Sequence, residues 1–255
     1  MKWNNPPSLS ICIPTYNRWY IIEKTINSVC SQPEFNSWEI ELIVSDNAST
    51  DNTEQIVKDF QKKYENIKYF KNSSNIWAMK NILKSYSLWA WKYLWCLWSD
   101  DFLDQWCLWY TLKVIKLYAP DIIIHRNNTI WTSFKKIKNN FFIDSDNLYK
   151  FPSQKDYFDF LWNQFILDKN SFDVLESQIT WISWYIIQSK YYKKSSNNII
   201  QEEWLDFFNK FNFIQTLLWH SIDVEKLIVL FDNPYLWQDI NPDKGYQKKN
   251  EKKLR

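Results

Sequence analysis

Three short polar clusters in this chain could do chemistry together: Pro14-Thr15-Tyr16-Asn17-Arg18, Asp46-Asn47-Ala48-Ser49 and Ser99-Asp100-Asp101. Each follows a short apolar run. A lone carboxylate such as Asp46 can accept a hydrogen bond from a nucleobase N–H or a ribose hydroxyl. The adjacent pair Asp100-Asp101 offers hard oxygen ligands to a divalent cation that also takes phosphate oxygens. No GxxxxGK[ST] loop is present to cradle phosphates, so a cation would have to neutralise them. Each cluster has a plainer reading as well: Asp46 and Asp51 form turns, and Asp100-Asp101 cap a following helix. Three such clusters at three strand ends favour a nucleotide and a cation.

The elements that must hold these clusters alternate regularly. Leu9 to Ile13 is an apolar run closed by Pro14, a buried strand. Ile21, Ile22, Thr25, Ile26 and Val29 repeat at helical spacing. Glu39 to Ser45 predicts a second strand, with Ile40, Leu42 and Val44 on one face. The polar turn 46–51 leads into a helix over 53–63. Strands follow at 67–70, 93–97 and 121–124, with helices at 78–88 and 107–117 between them. Strand and helix in strict alternation predict an α/β protein with a mostly parallel sheet and helices on both faces. Ligands of such sheets sit beyond the carboxyl ends of the strands, where the three clusters lie. Beyond residue 125 the pattern weakens. Helices are expected near 156–167 and 204–217, and strands near 179–187 and 224–231.

The bulk composition excludes several classes. A net charge of +2 gives no field for nucleic acid. The four cysteines, Cys12, Cys30, Cys96 and Cys107, form no CxxC pair, and Cys12 and Cys96 read as buried free thiols. His125 and His220 lack metal-ligand spacing. There is no leader-like apolar segment and no apolar run of the roughly 18 residues that a membrane helix needs. A cytoplasmic protein is therefore expected. The basic tail, residues 244–255, is a solvated end that could add a weak peripheral contact with the inner face of the membrane.

The chain has 17 tryptophans and one glycine, where a soluble domain averages about 7% glycine. Trp19, Trp91 and Trp98 stand at turns, where positive φ or close backbone approach favours glycine. The composition is explained if most of these are UGA codons that the source cell reads as glycine. The alternative is a chain rich in stacking indoles, but stacking tryptophans would cluster at one site, and these are spread along the whole chain.

The run Ser10-Ile11-Cys12-Ile13-Pro14-Thr15-Tyr16-Asn17-Arg18, then Ile43-Val44-Ser45-Asp46-Asn47-Ala48-Ser49-Thr50-Asp51, Asn75-Ile76-Trp77 and Ser99-Asp100-Asp101 resembles the family 2 glycosyltransferases of the GT-A fold. Within that family it is most similar to abequosyltransferase-type enzymes of bacterial surface polysaccharide synthesis. The resemblance covers residues 8–118 strongly. It also places glycine where Trp77, Trp91 and Trp98 stand, and tryptophan at Trp95. It implies a nucleotide-sugar-binding half over 1–125, an acceptor-side half of the same domain over 126–243, and the tail 244–255. It further implies a base pocket lined by Pro14 and Tyr16, with Asp46 bonding the base and Asn75 in the same pocket. Asp100 would touch the ribose and Asp101 would ligate Mg²⁺ or Mn²⁺. The general base falls on the acceptor side, where Glu203 in Gln201-Glu202-Glu203-Trp204 matches best by position. The Glu202-Glu203 pair also reads as first-turn carboxylates favouring a helix dipole, and His220 is a candidate for the acceptor pocket.

The activity so implied is metal-dependent, inverting transfer from a nucleotide-diphospho-sugar donor to a glycan or lipid-linked acceptor. A non-catalytic nucleotide-sugar-binding protein on the same fold is the alternative. A nucleotidyltransferase would need a basic glycine-rich loop, and residues 14–19 offer only Arg18.

Overall fold

A seven-residue strand buried along its whole length must have both faces covered, and the apolar stretch around Ile11 forms such a strand in the computed structural model. The structure describes residues 8–88, 92–127, 142–143, 148–153, 155–157, 159, 185–190 and 228–238. The elements are β1 (Leu9–Thr15), α1 (Ile22–Cys30), a 3₁₀ turn (Pro33–Ser37), β2 (Ile40–Asp46), α2 (Thr53–Gln61), β3 (Ile67–Lys71), α3 (Ala78–Ser87), β4 (Tyr93–Cys96), β5 (Asp101–Leu103), α4 (Cys107–Tyr118), β6 (Ile122–Asn127), β7 (Phe142–Ile143), β8 (Leu148–Phe151), β9 (Tyr185–Gln188) and β10 (Ile228–Gln238).

The strands form one mixed sheet in the order β3-β2-β1-β4-β9-β6-β10-β8-β7, with β5 pairing β10. β3, β2, β1 and β4 are mutually parallel, as expected from the alternation. The neighbour of β4 is not the next strand in sequence. β9 comes from much later in the chain and is inserted antiparallel between β4 and β6. β6 keeps the sense of β4 but is not hydrogen-bonded to it. Local periodicity reports that a strand exists; it carries no information on which strand lies beside it.

β1 and β2 are buried at every position, the pattern of central strands covered on both faces. One polar rung crosses them: the buried Glu41 carboxylate accepts from Ser10 Oγ at 2.5 Å and pairs with Lys68 Nζ of β3 at 2.6 Å. α1 buries the stripe Ile22, Ile26 and Val29 together with Thr25 and Cys30. All four cysteines are buried free thiols, and burial pushes Cys30 and Cys96 up to about 12.

His125 of β6 is buried, its ring stacked on Trp95 with centroids 4.8 Å apart, and the Thr111 hydroxyl lies 3.1 Å from Nε2. Burial pushes its pKa down to about 3, so the folded protein holds it neutral. The unfolded chain titrates near 6.5. Above that pH the ring is neutral in both states. Below it the unfolded chain takes up a proton that the folded one refuses, and stability falls until the pH nears 3. The His125 contribution to this loss should reach about 2 kcal/mol by about pH 5. Urea unfolding of His125→Gln should show a correspondingly weaker acid dependence than the parent.

Candidate functional site

Parallel register brings the three clusters to one edge. Thr15 at the end of β1 lies abreast of Asp46 at the end of β2, while Leu9 lies abreast of Tyr93 at the start of β4. Leu97 N donates to Cys12 O at 2.9 Å, continuing the β1–β4 ladder to the brink of Ser99-Asp100-Asp101. The middle strand β1 thus has Asp46 on one side and the Asp101 segment on the other.

Asp46 is fully buried. Its Oδ1 accepts from Ser49 N at 2.8 Å and Ser49 Oγ at 2.6 Å, and its Oδ2 accepts from Tyr69 OH at 2.5 Å. Burial and this carboxylate together push the Tyr69 phenol far above its ordinary range, so it remains a donor. A carboxylate has about four acceptor sites, and three are used inside the protein. Asp46 therefore acts as a turn former, the plainer of its two readings, and retains acceptor capacity for about one further bond.

The loop after β1 is clamped onto the loop after β2. Asn17 N donates to Ser49 Oγ at 2.9 Å, and Thr50 N donates to Asn17 Oδ1 at 2.9 Å. Arg18 N donates to Thr53 Oγ1, and Asp51 Oδ1 accepts from Thr53 N at 3.0 Å, which starts α2. Pro14 is buried within β1, and Tyr16 is exposed on the rim.

Asn75 joins this edge through side-chain amides. Its Oδ1 accepts from Asn47 Nδ2 at 2.8 Å and from Trp77 N at 2.9 Å, while Asn47 Oδ1 accepts from Ile76 N. Asn72 bridges Asn47 and Asn81, and Asn81 Nδ2 donates to Ser45 O at 2.8 Å. One connected amide network therefore holds the loop before α3 against the end of β2.

Asp101 is buried at the head of β5, and Asp100 beside it is half-buried. The helix cap, the plainer reading of this pair, is absent: a turn, Asp101 N donating to Trp98 O at 3.1 Å, feeds a short strand instead. Two α1 hydroxyls fix the segment: Thr25 Oγ1 donates to Ser99 O at 2.9 Å, and Ser28 Oγ accepts from Leu103 N at 3.0 Å. A cleft of about 300 Å³ lined by Ser28, Ser31, Gln32, Leu103, Gln105 and Trp106 borders this strand.

The structure thus brings Pro14, Tyr16, Asp46, Asn75, Asp100 and Asp101 to one end of the sheet. Glu203, His220 and the expected helices from 160 onward lie outside the described residues. The sequence assigns no site role to Tyr69 or Ser28, and places Thr25 only in the buried stripe of the first helix. The available signal was hydroxyls within otherwise apolar strand and helix stripes.

The description "Glycosyl transferase family 2" matches residues 10–171 of this chain, more than half of its 255 residues. The chain belongs to that family. It is 43% identical over 98 residues to Abequosyltransferase RfbV of Salmonella typhimurium, covering 38% of this chain and 29% of that protein. It is likewise 43% identical over 68 residues to a GalNAc(5)-diNAcBac-PP-undecaprenol beta-1,3-glucosyltransferase of Campylobacter jejuni, covering 27% and 21%. The chain spans less than half the length of these curated relatives. The crystal structure of S. aureus TarS 1-349 superposes with a TM-score of 0.61 at 19% identity, covering 94% of this chain and 62% of that one. At that identity the likeness establishes the fold, which is the α/β GT-A fold expected from the motifs. No helix among the described residues is long and apolar enough to cross a membrane.

Proposed function

We propose that this family member transfers a sugar from a nucleotide-diphospho-sugar donor to a glycan or lipid-linked acceptor, with inversion and with a divalent cation. The observation that carries the reading is the meeting of the Asp46 and Asp101 segments on either side of β1 at one sheet edge. Support for the donor comes from S. aureus TarS, whose structure is also known in complex with UDP-GlcNAc, with a TM-score of 0.58. Support for the acceptor class comes from the names of the two curated relatives.

Asp101 and Asp100 supply hard carboxylate oxygens of the kind Mg²⁺ and Mn²⁺ select. At the end of β1, abreast of Asp46, the buried Thr15 Oγ1 has no hydrogen-bond partner within the protein. Among the described residues no three acidic, histidine or cysteine side chains gather as a cage. That donor set suits a cation held by one or two carboxylates and completed by substrate phosphates. When bound, the cation would stabilise negative charge on the departing diphosphate. Pro14 and Tyr16 line the base pocket, Pro14 from within β1 and Tyr16 from its exposed rim, and Asp46 gives its remaining acceptor site to a base N–H. Asp100 accepts from a ribose hydroxyl. The acceptor hydroxyl oxygen forms the new bond to the anomeric carbon as the bond from that carbon to the diphosphate oxygen breaks. Its proton passes to a carboxylate, for which Glu203 is the candidate. Residues 1–125 supply the donor side and 126–243 the acceptor side, with Asn75 steadying the base pocket.

A panel of nucleotide sugars incubated without acceptor tests the reading. At least one should be hydrolysed slowly, chelation should stop the reaction, and Mg²⁺ or Mn²⁺ should restore it. A protein that binds a nucleotide sugar with the cation yet never turns it over would be a binding protein instead.

A further inference from the structure

Among the described residues six non-glycine positions have positive φ: Asn17, Trp38, Ala48, Trp77, Trp106 and Ala119. Eight of the 17 tryptophans lie among the described residues, and three of these eight take half of the six places. Asparagine enters the left-handed region readily, and alanine brings only a methyl group into it. An indole brings a large side chain where the backbone leaves little room. Trp77 is the most telling. Its φ of 72° and ψ of 150° fall in a region open essentially to glycine alone. Trp38, with φ 63° and ψ 7°, closes the 3₁₀ turn, where a left-handed glycine is the usual stop. Trp106, with φ 71° and ψ −1°, opens α4.

None of the three is buried in exchange. Trp38, Trp77 and Trp106 are 45%, 74% and 53% exposed. Trp95 behaves in the opposite way. It sits in extended β4, is 0% exposed, and stacks on His125. Among the described tryptophans, Trp95 is thus packed in the core, while Trp38, Trp77 and Trp106 are set on backbone that favours glycine. Trp19 and Trp98 are outside the left-handed region, so the backbone makes no demand there, and Trp91 lies outside the described residues.

We infer that positions 38, 77 and 106 are glycine in the protein its own cell makes, each tryptophan standing for a UGA codon that cell reads as glycine. Position 95 is tryptophan. The inference does not depend on the donor chemistry. It bears on the site because the backbone of residue 77 is tied into its amide network. Its N–H donates to Asn75 Oδ1 at 2.9 Å and its carbonyl accepts from Asn81 N at 3.0 Å. Asn81 in turn holds Ser45, the residue before Asp46. A glycine at 77 lets α3 start where this network needs it, without strain.

Peptide sequencing by mass spectrometry, on the protein isolated from its source organism, tests the inference. Glycine is expected at 38, 77 and 106 and tryptophan at 95, and the gene should read UGA at the first three codons and UGG at the last. Tryptophan in the native peptide at 38, 77 or 106, or a UGG codon at any of them, would overturn it. For recombinant protein the triple variant Trp38→Gly/Trp77→Gly/Trp106→Gly should melt roughly 6 °C or more above the parent. Trp95→Gly should melt well below it. A triple variant that melts no higher than the parent would count against strain at these positions and so against the inference.

Discussion

Asp101→Asn is expected to lose about a hundredfold to a thousandfold in donor turnover while leaving the fold in place. Asparagine matches the shape of the carboxylate, so the turn from Trp98 into β5 survives. That turn is made by backbone and by the α1 hydroxyls of Thr25 and Ser28, none of which the substitution touches. The variant loses a negative charge buried at the edge of the sheet. An amide oxygen is a much weaker ligand for a hard cation than a carboxylate. The loss should therefore fall on turnover and on the cation concentration needed for half-maximal rate. Far-UV dichroism and the melting midpoint should stay near those of the parent. Turnover retained at the parent rate would remove Asp101 from the cation's ligands.

Such a variant tests a site half legible in the sequence. β1, β2 and β4 could be read because each is an apolar run that stops at a polar cluster, and their parallel sense follows from the helices between them. The places of the later strands in the sheet could not. β9 and β10 join the sheet through pairings distant in sequence, and local periodicity is silent on such pairings. β5 was hidden for another reason. It is a three-residue strand beginning with a carboxylate, a pattern that also fits a helix cap. The amide network through Asn47, Asn72, Asn75 and Asn81 was illegible because asparagine in a loop or on a helix carries no sign of its partner. At Asp46 the sequence offered two roles, turn former and ligand acceptor. The hydrogen bonds from Ser49 establish the first without using the whole carboxylate.

Asp46→Ala separates those two roles. The side chain is fully buried, and its removal strands Ser49 N, Ser49 Oγ and Tyr69 OH, which now donate to it. The variant should lose about 3 kcal/mol or more of stability, read as a lower urea midpoint, because buried donors left without acceptors are costly. Tyr69→Phe strands no donor, although it leaves the buried Asp46 Oδ2 without its tyrosine partner. It deletes one donor and should cost about 1.5–3 kcal/mol, in the range for a bond to a charged group. It also frees a lone pair on Asp46 Oδ2. If Asp46 reaches the base, nucleoside diphosphate affinity measured by calorimetry on folded protein should drop about tenfold in Asp46→Ala. In Tyr69→Phe it should hold. If Asp46 serves the loop alone, both variants move affinity only as far as each loosens the clamp between the β1 and β2 loops. Tyr69→Phe would then weaken binding along with stability. The two variants weaken the same buried cluster but alter opposite partners in it, so the order of their affinities decides the role that burial alone leaves open.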